Sequence, residues 1–444
     1  MRRPFKLLLW AMLGPLAVLL LLALAWVACN GYWADADPQP VPPELKPQAV
    51  TLAPADNAFF DGQGLRAPEG ESPNAWGRRA WLGETSGSDT LLVVPTGDDW
   101  NCSAGKDDCM ARWRASAAKL TAQMAGARTF GERCKALADK TAFQEPAPVR
   151  RPRPADGKPY EAVPLPQFSP LTTCMRWLHV EAVLAPDVRQ AEVAWARANA
   201  LLRLVSSGTQ TLIGQAVAWS WVTRQQQLLA QWSAERPAGY VLPAAWQAPL
   251  PSRLLRPRAW MAVESHWLRE SAADVPQRGE QMFSMDPGWL QSWAGRHSLG
   301  YLPELTAQAM AAYWLADLRL FGDLQGPALA QAVLSQPETS PSWWDYLSWR
   351  NTIGHILVEV ARPHYGRFAL RQADLVLYQA ALDLSQQLNT VPAVDRAAWW
   401  ARQALDAGIR ERLSLEGDAV LIRTWRGETD KDYAAPVRFP LRPA

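Results

Sequence analysis

TQTLIGQAVAWSWVTRQQQLLAQW, residues 209–232, is the stretch that decides the fold class. Ile213, Val217, Trp221, Leu228 and Trp232 recur at four- and seven-residue spacing, which lays them along one broad apolar face of a helix. The same period runs upstream through Leu171–Leu184 and Asp187–Val205, and the tight Ser207-Gly208-Thr209 connection sets neighbouring helices antiparallel. Downstream, Pro237–Pro257 interrupts it and Arg258–Ala273 resumes it. Further helices are expected over Pro303–Phe321, Pro327–Leu334, Thr352–Val360, Arg367–Leu388 and Val394–Leu413. Asp418–Trp425 alternates well enough for one terminal strand, and the tail from Asp432 reads as extended. The chain is therefore expected to be mainly α, with few or no strands. No repeat of fixed period supports a solenoid.

Toward the N-terminus the pattern thins. Met110, Trp113, Ala117, Leu120 and Met124 predict one helix over Asp108–Ala125, capped by Asp107 or Asp108, and Thr129–Leu137 predicts another. A short helix starts near Asp56-Asn57-Ala58-Phe59-Phe60, followed by a Gly/Pro/Ser-rich irregular stretch. Thr90–Val94 reads as a strand or a helical turn. Residues 145–170 are Pro-rich and carry Arg150-Arg151-Pro152-Arg153-Pro154, read as a surface loop rather than a nucleic-acid arm.

The first residues set the compartment. Arg2, Arg3 and Lys6 precede an apolar run, Leu7–Ala28, long enough at about 1.5 Å per residue to cross a bilayer core of about 30 Å. Cations before the run and none close behind it place the remaining chain outside the cytoplasm, as a single-span anchor of the bacterial inner membrane with a periplasmic body. Pro15 is tolerable in such a helix. Trp26-Val27-Ala28 ahead of Cys29 loosely fits a lipidation site, so lipidation at Cys29 and signal cleavage are the alternatives to an uncleaved anchor. Residues 1–6 are then cytoplasmic, 7–28 spanning, and 29–54 a Pro-rich tether. Residues 55–144 form the Cys-containing first part of the body, 145–170 the loop, 171–431 the helical domain and 432–444 the tail.

The net charge of +2 becomes −1 once Arg2, Arg3 and Lys6 are set aside, since residues 1–29 hold no acid. A near-neutral body argues against nucleic acid as a partner. The 24 Trp, densest at Trp219/Trp221, Trp343-Trp344, Trp349 and Trp399-Trp400, mostly fall inside apolar helical patterns and read as core packing rather than a sugar platform. Trp399 or Trp400 falls in register with Leu405 or Ile409. Four cysteines follow the anchor, an even number in an oxidising compartment, and predict Cys102–Cys109 and Cys134–Cys174 disulfides. A four-thiolate zinc site is the rival reading, but it lacks a Cys-x-x-Cys pair.

Chemistry is sparse. No phosphate-cradling glycine loop, dinucleotide fingerprint or serine nucleophile elbow occurs, and no cofactor is implied. His355 and Glu359 stand four apart on a helix and could share a metal, but lack a third ligand; a helix-face ion pair or cap interaction explains them. The Asp56–Phe60 stretch, the Cys102/Cys109 pair and Asn351-Thr352-Ile353-Gly354 resemble a set of uncharacterised, membrane-anchored envelope proteins of proteobacteria. That resemblance implies no activity. Asn351 reads as an N-cap and Gly354 as a point of close helix packing. Met261-Ala262-Val263-Glu264-Ser265-His266-Trp267 loosely resembles the Glu-Ser motif of soluble lytic transglycosylases. The resemblance implies Glu264 as general acid/base, although that family's Gly-Leu-Met-Gln segment is replaced by Arg278–Met282. The expected function is a non-enzymatic binding or interaction module, an envelope scaffold or immunity-type protein with a protein partner. A lytic-transglycosylase-like enzyme using Glu264 is the alternative.

Overall fold

The computed structural model describes residues 2–85, 90–102, 108–147, 166–282, 300–336, 348–361 and 365–443. Its helices run α1 Arg2–Asn30, α2 Ala58–Gln63, α3 Pro73–Leu82, α4 Cys109–Ala115, α5 Ala117–Gly126 and α6 Arg128–Ala138. They continue with α7 Phe168–Leu184, α8 Val188–Gly208, α9 Leu212–Ala234, α10 Ala244–Gln247, α11 Ser252–Leu255 and α12 Arg258–Met282. The last are α13 Pro303–Phe321, α14 Gly326–Leu334, α15 Thr352–Ala361, α16 Tyr365–Leu388, α17 Arg396–Ala401 and α18 Ala407–Arg410. Three short strands, β1 Leu413–Glu416, β2 Ala419–Ile422 and β3 Val437–Pro440, form an antiparallel meander in the order β1-β2-β3. The protein is a mainly α chain with one N-terminal apolar helix and two disulfides in its body.

The chain divides into two compact units, neither continuous in sequence: residues 1–46, 264–317 and 337–365, and residues 47–263, 318–336 and 366–444. In the first unit α1 includes an 18-residue window, Leu13–Asn30, of mean hydropathy 2.1, almost wholly exposed. It is long and apolar enough to span a membrane. Asn30 closes it: its Nδ2 donates to Trp349 O at 2.8 Å, and its Oδ1 accepts from Asn351 N at 2.8 Å. The residues after α1, read as a tether, include 3-10 turns at Tyr32–Ala34 and Pro43–Leu45 and are pinned along their length. Asp35 caps α13 by accepting from Glu304 N and Leu305 N, both at 3.0 Å. Gln308 donates to Asp37 O, Arg269 donates to Gln39 O, and Leu45 is fully buried.

Asn351 does not cap its own helix. It adopts φ 57°, in the left-handed region that a short polar side chain tolerates. Its side chain reaches across, accepting from Leu302 N at 2.7 Å and donating to Thr306 Oγ1 at 2.9 Å. Gly354 is the predicted close approach: a Cβ there would lie 2.0 Å from Thr306 Oγ1.

The second unit holds the larger core. Trp113, Trp195, Trp219, Trp221, Trp232 and Trp260 are all buried, which bears out the packing role expected of Trp219 and Trp221. At the α8–α9 corner, Glu145 is buried with its carboxylate fully engaged. It accepts from Thr209 Oγ1 and Thr211 Oγ1, each at 2.6 Å, and from the backbone N–H of Gln210 and Thr211. Thr211 Oγ1 in turn caps α9.

Several expectations fail for local reasons. The helix over Asp108–Ala125 breaks at Ser116, whose hydroxyl donates to Asp99 at 3.1 Å. α3 lies in the stretch read as irregular. Ser72 caps it and Pro73 sits at its first position, but only Trp76 and Gly77 are buried, so no apolar stripe announces it. Residues 90–96 form neither strand nor helix. The helix over Val394–Leu413 is instead α17, an extended turn, α18 and the start of β1, with Asp406 capping α18. That break removes the register joining Trp400 to Leu405 or Ile409. Trp399 and Trp400 are half-buried, Trp400 beneath the Arg410 guanidinium at 5.5 Å. Trp349 is 55% exposed, against expectation. Trp343 and Trp344, and Arg150–Pro154, lie outside the described residues.

Candidate functional site

The candidate site grows from two constraints on α6 and α7. Cys134 on α6 and Cys174 on α7 are disulfide-bonded with Cα atoms 5.4 Å apart. Three residues earlier, Gly131 lets α6 close onto α7, because a Cβ there would meet the Trp177 ring at 2.2 Å. Trp177 is thereby clamped. Trp100 stacks on it at 6.0 Å, and Phe130 packs edge-on at 6.1 Å.

Outside this clamp, α5, α6, α7 and α8 enclose an open groove of about 1050 Å³. Its floor includes Trp177 and Glu181, one helical turn apart on α7. Met124, Arg128 and Lys135 form one wall; Arg189, Val193 and Arg197 on α8 form the other. The floor holds two buried polar atoms with no hydrogen-bond partner, the Trp177 indole N–H and Glu181 Oε2. Glu181 Oε1 pairs with Lys135. Both atoms are inaccessible from the groove, like the indole N–H groups of Trp113, Trp195 and Trp221 in the core.

The wall charges are unevenly compensated. Arg128 and Glu132 form a loose, exposed pair at 3.8 Å, of little energetic worth. The Asp187 carboxylate is used by its own helix, accepting from Gln190 N at 2.8 Å and Gln190 Nε2 at 2.9 Å. Arg189, Val193 and Arg197 stand four apart on one face of α8, with Val193 exposed between the cations. Neither arginine has an ion pair among the described residues.

A second polar centre lies between α7 and α9. His179 is fully buried, with Nε2 3.4 Å from Gln225 Oε1. Burial, reinforced by the charge of Arg224, pulls its pKa to about 3, so it is neutral. Burial and the field of Arg176 pull Arg224 down to about 10.

The residues singled out in the sequence fall elsewhere. Cys102 and Cys109 are disulfide-bonded, Cα atoms 5.6 Å apart, and Asp108 caps α4 through Ala111 N at 3.0 Å. Cys29 is a free, exposed thiol at the end of α1. His355 and Glu359 are half-buried on α15. No group of three or more His, Cys, Asp or Glu side chains that could hold a metal occurs among the described residues. Glu264 is half-buried on α12 rather than exposed on a solvated face. Burial, together with the negative charge of Glu264, raises the pKa of the Tyr365 phenol, and Tyr365 packs edge-on against Trp314 at 4.5 Å. Glu264 does not line the groove.

Sequence reading did not find the groove. Glu181 and Trp177 sit within the apolar period of α7, and only Gly131, opposite a tryptophan, marks the close approach. No protein-family model, no curated protein and no solved structure matches this chain.

Proposed function

We propose that the protein is a non-enzymatic binding module of the bacterial envelope, anchored in the inner membrane by α1, with its body in the periplasm. The observation that carries the binding reading is the open groove itself, with Val193 exposed between Arg189 and Arg197 on its α8 wall. A peptide segment suits such a groove, with an apolar side chain on Val193 and acidic ones against Arg189 and Arg197. Such a groove is in keeping with a scaffold or immunity-type role with a protein as partner. The compartment reading is supported by Arg2, Arg3 and Lys6 ahead of the spanning run and by disulfides, which persist in oxidising compartments.

The test is capture from envelope extract by the detergent-solubilised full chain, comparing wild type with Val193→Glu and Arg197→Glu. A partner held by wild type and lost by both variants, at unchanged melting temperature, supports the groove. Identical recovery by all three proteins contradicts it.

One observation favours a second reading, a peptidoglycan-cleaving enzyme of lytic-transglycosylase type. Glu264 lies half-buried beside Tyr365, a surrounding in which a carboxyl can act as general acid. Zymography decides: clearing by wild type and none by Glu264→Gln supports it. No clearing, or equal clearing, removes it.

A further inference from the structure

We propose that Trp349 and helix α15, with Tyr32 and Trp33, form a second contact with the bilayer, lying in the outer interface beside the end of α1. This rests on reading α1 as membrane-spanning.

The argument begins with depth. An apolar run from Leu7 to Ala28 fills the hydrocarbon core, so Asn30 falls in the interfacial layer, which is about 5–8 Å thick on each side. What Asn30 binds directly shares that layer. Its carboxamide bonds Trp349 O and Asn351 N, each at 2.8 Å, and its carbonyl accepts from Gly300 N at 3.0 Å. Gly300 O accepts in turn from Ile353 N at 2.9 Å, and Arg350 donates to Ala34 O. Residues 349–353, the entry to α15, are thus held within two hydrogen bonds of the last residue of the span.

Next comes what this layer exposes. Beyond α1, the exposed large apolar residues described in the first unit are Tyr32 at 59%, Trp33 at 51%, Trp349 at 55%, Ile356 at 36% and Leu357 at 38%. Scattered apolar exposure needs no explanation, but this set gathers around one end of one helix. Three of the five are Trp or Tyr, the residues that concentrate where one end of a ring is wet and the other apolar.

α15 itself reads TIGHILVEVA, apolar on nearly every side. Yet among its residues 352–359 only Gly354 is buried. A helix this apolar and this little covered is marginal in water. It carries no Lys or Arg, so its contact would rest on apolar insertion rather than attraction to anionic headgroups.

The test is nitroxide depth measurement on the full chain in phosphatidylethanolamine–phosphatidylglycerol vesicles, in a Cys29→Ser background with both disulfides kept. Labels are placed at Leu357→Cys and, as embedded reference, Leu20→Cys; a free nitroxide gives the aqueous reference. At Leu357 the oxygen-to-nickel accessibility ratio should rise several-fold above the aqueous value, and added salt should not reverse it. An aqueous ratio at Leu357 with an embedded Leu20 overturns the second contact alone. Aqueous ratios at both positions overturn the spanning reading and the contact with it. Exclusion of both oxygen and nickel at Leu357 means a protein covers the helix, which also overturns the proposal.

Discussion

Asp374→Asn should make the protein more stable at alkaline than at acid pH relative to wild type. Asp374 is buried on α16, and its Oδ1 accepts from Trp425 N at 2.7 Å, tying the segment after β2 to the helix. Burial raises its carboxyl to about 7, only partly opposed by hydrogen bonds from Trp425 and Arg426 and by the charges of Arg426 and Arg412. A folded-state value near 7 against an ordinary 3.8 penalises ionisation by about 4 kcal/mol; relaxation on opening reduces this, and about 2 kcal/mol is expected. The sign follows from proton binding. Between about pH 4 and 7 the folded state keeps a proton that the unfolded state has lost, so wild-type stability falls as pH rises through that window. Asparagine cannot ionise and still offers Trp425 an acceptor. Burial pushes the neighbouring Tyr378 phenol above its usual range, so it stays neutral throughout. Asp383, raised to about 6 by burial, and His179, held near 3, bias wild type and variant alike and cancel in the difference. Urea melts of both full-length proteins in detergent, at pH 4.5, 6 and 8, measure it. A difference in stability that stays flat with pH refutes the reasoning.

Other consequences concern packing and covalent links. Trp221→Ala, which empties a buried site in α9, should cost about 3–5 kcal/mol, whereas Trp400→Ala, half-buried under Arg410, should cost well under half of that; thermal melts compare them. Equal losses would mean that burial does not set the cost. Replacing Cys134 and Cys174 together by Ser should lower stability by about 4 kcal/mol for a crosslink of sequence separation 40, read by the same melts under oxidising conditions. Unchanged melting would show that the crosslink is not formed in the folded protein, and non-reducing peptide mapping would show it directly.

Helical organisation was legible wherever an apolar stripe repeated over several turns. Ile213, Val217, Trp221, Leu228 and Trp232 announced α9, and Pro303–Phe321 was read with the bounds of α13. The sequence was opaque where a side chain served the backbone instead. Ser72 and Pro73 start α3 without a stripe, and Asp406 starts a separate helix, α18, where the apolar pattern would have continued one helix to Leu413. In Asn351, a residue type suited to capping has a left-handed backbone and spends its side chain on Leu302 and Thr306 instead. The disulfide pairs were readable from the even count of cysteines after the apolar helix. The groove was not, since its defining features are the approach between Gly131 and Trp177 and the way four helices surround the space outside it. Neither leaves a periodic trace.

The account turns on α1 as an outward-facing anchor, and paired C-terminal fusions test that most directly. With the body in the periplasm, an alkaline phosphatase fusion is active and a green fluorescent protein fusion is dark. A dark phosphatase and a bright fluorescent fusion would place the body in the cytoplasm, and the compartment, the oxidising setting of the disulfides and the envelope role would fall together.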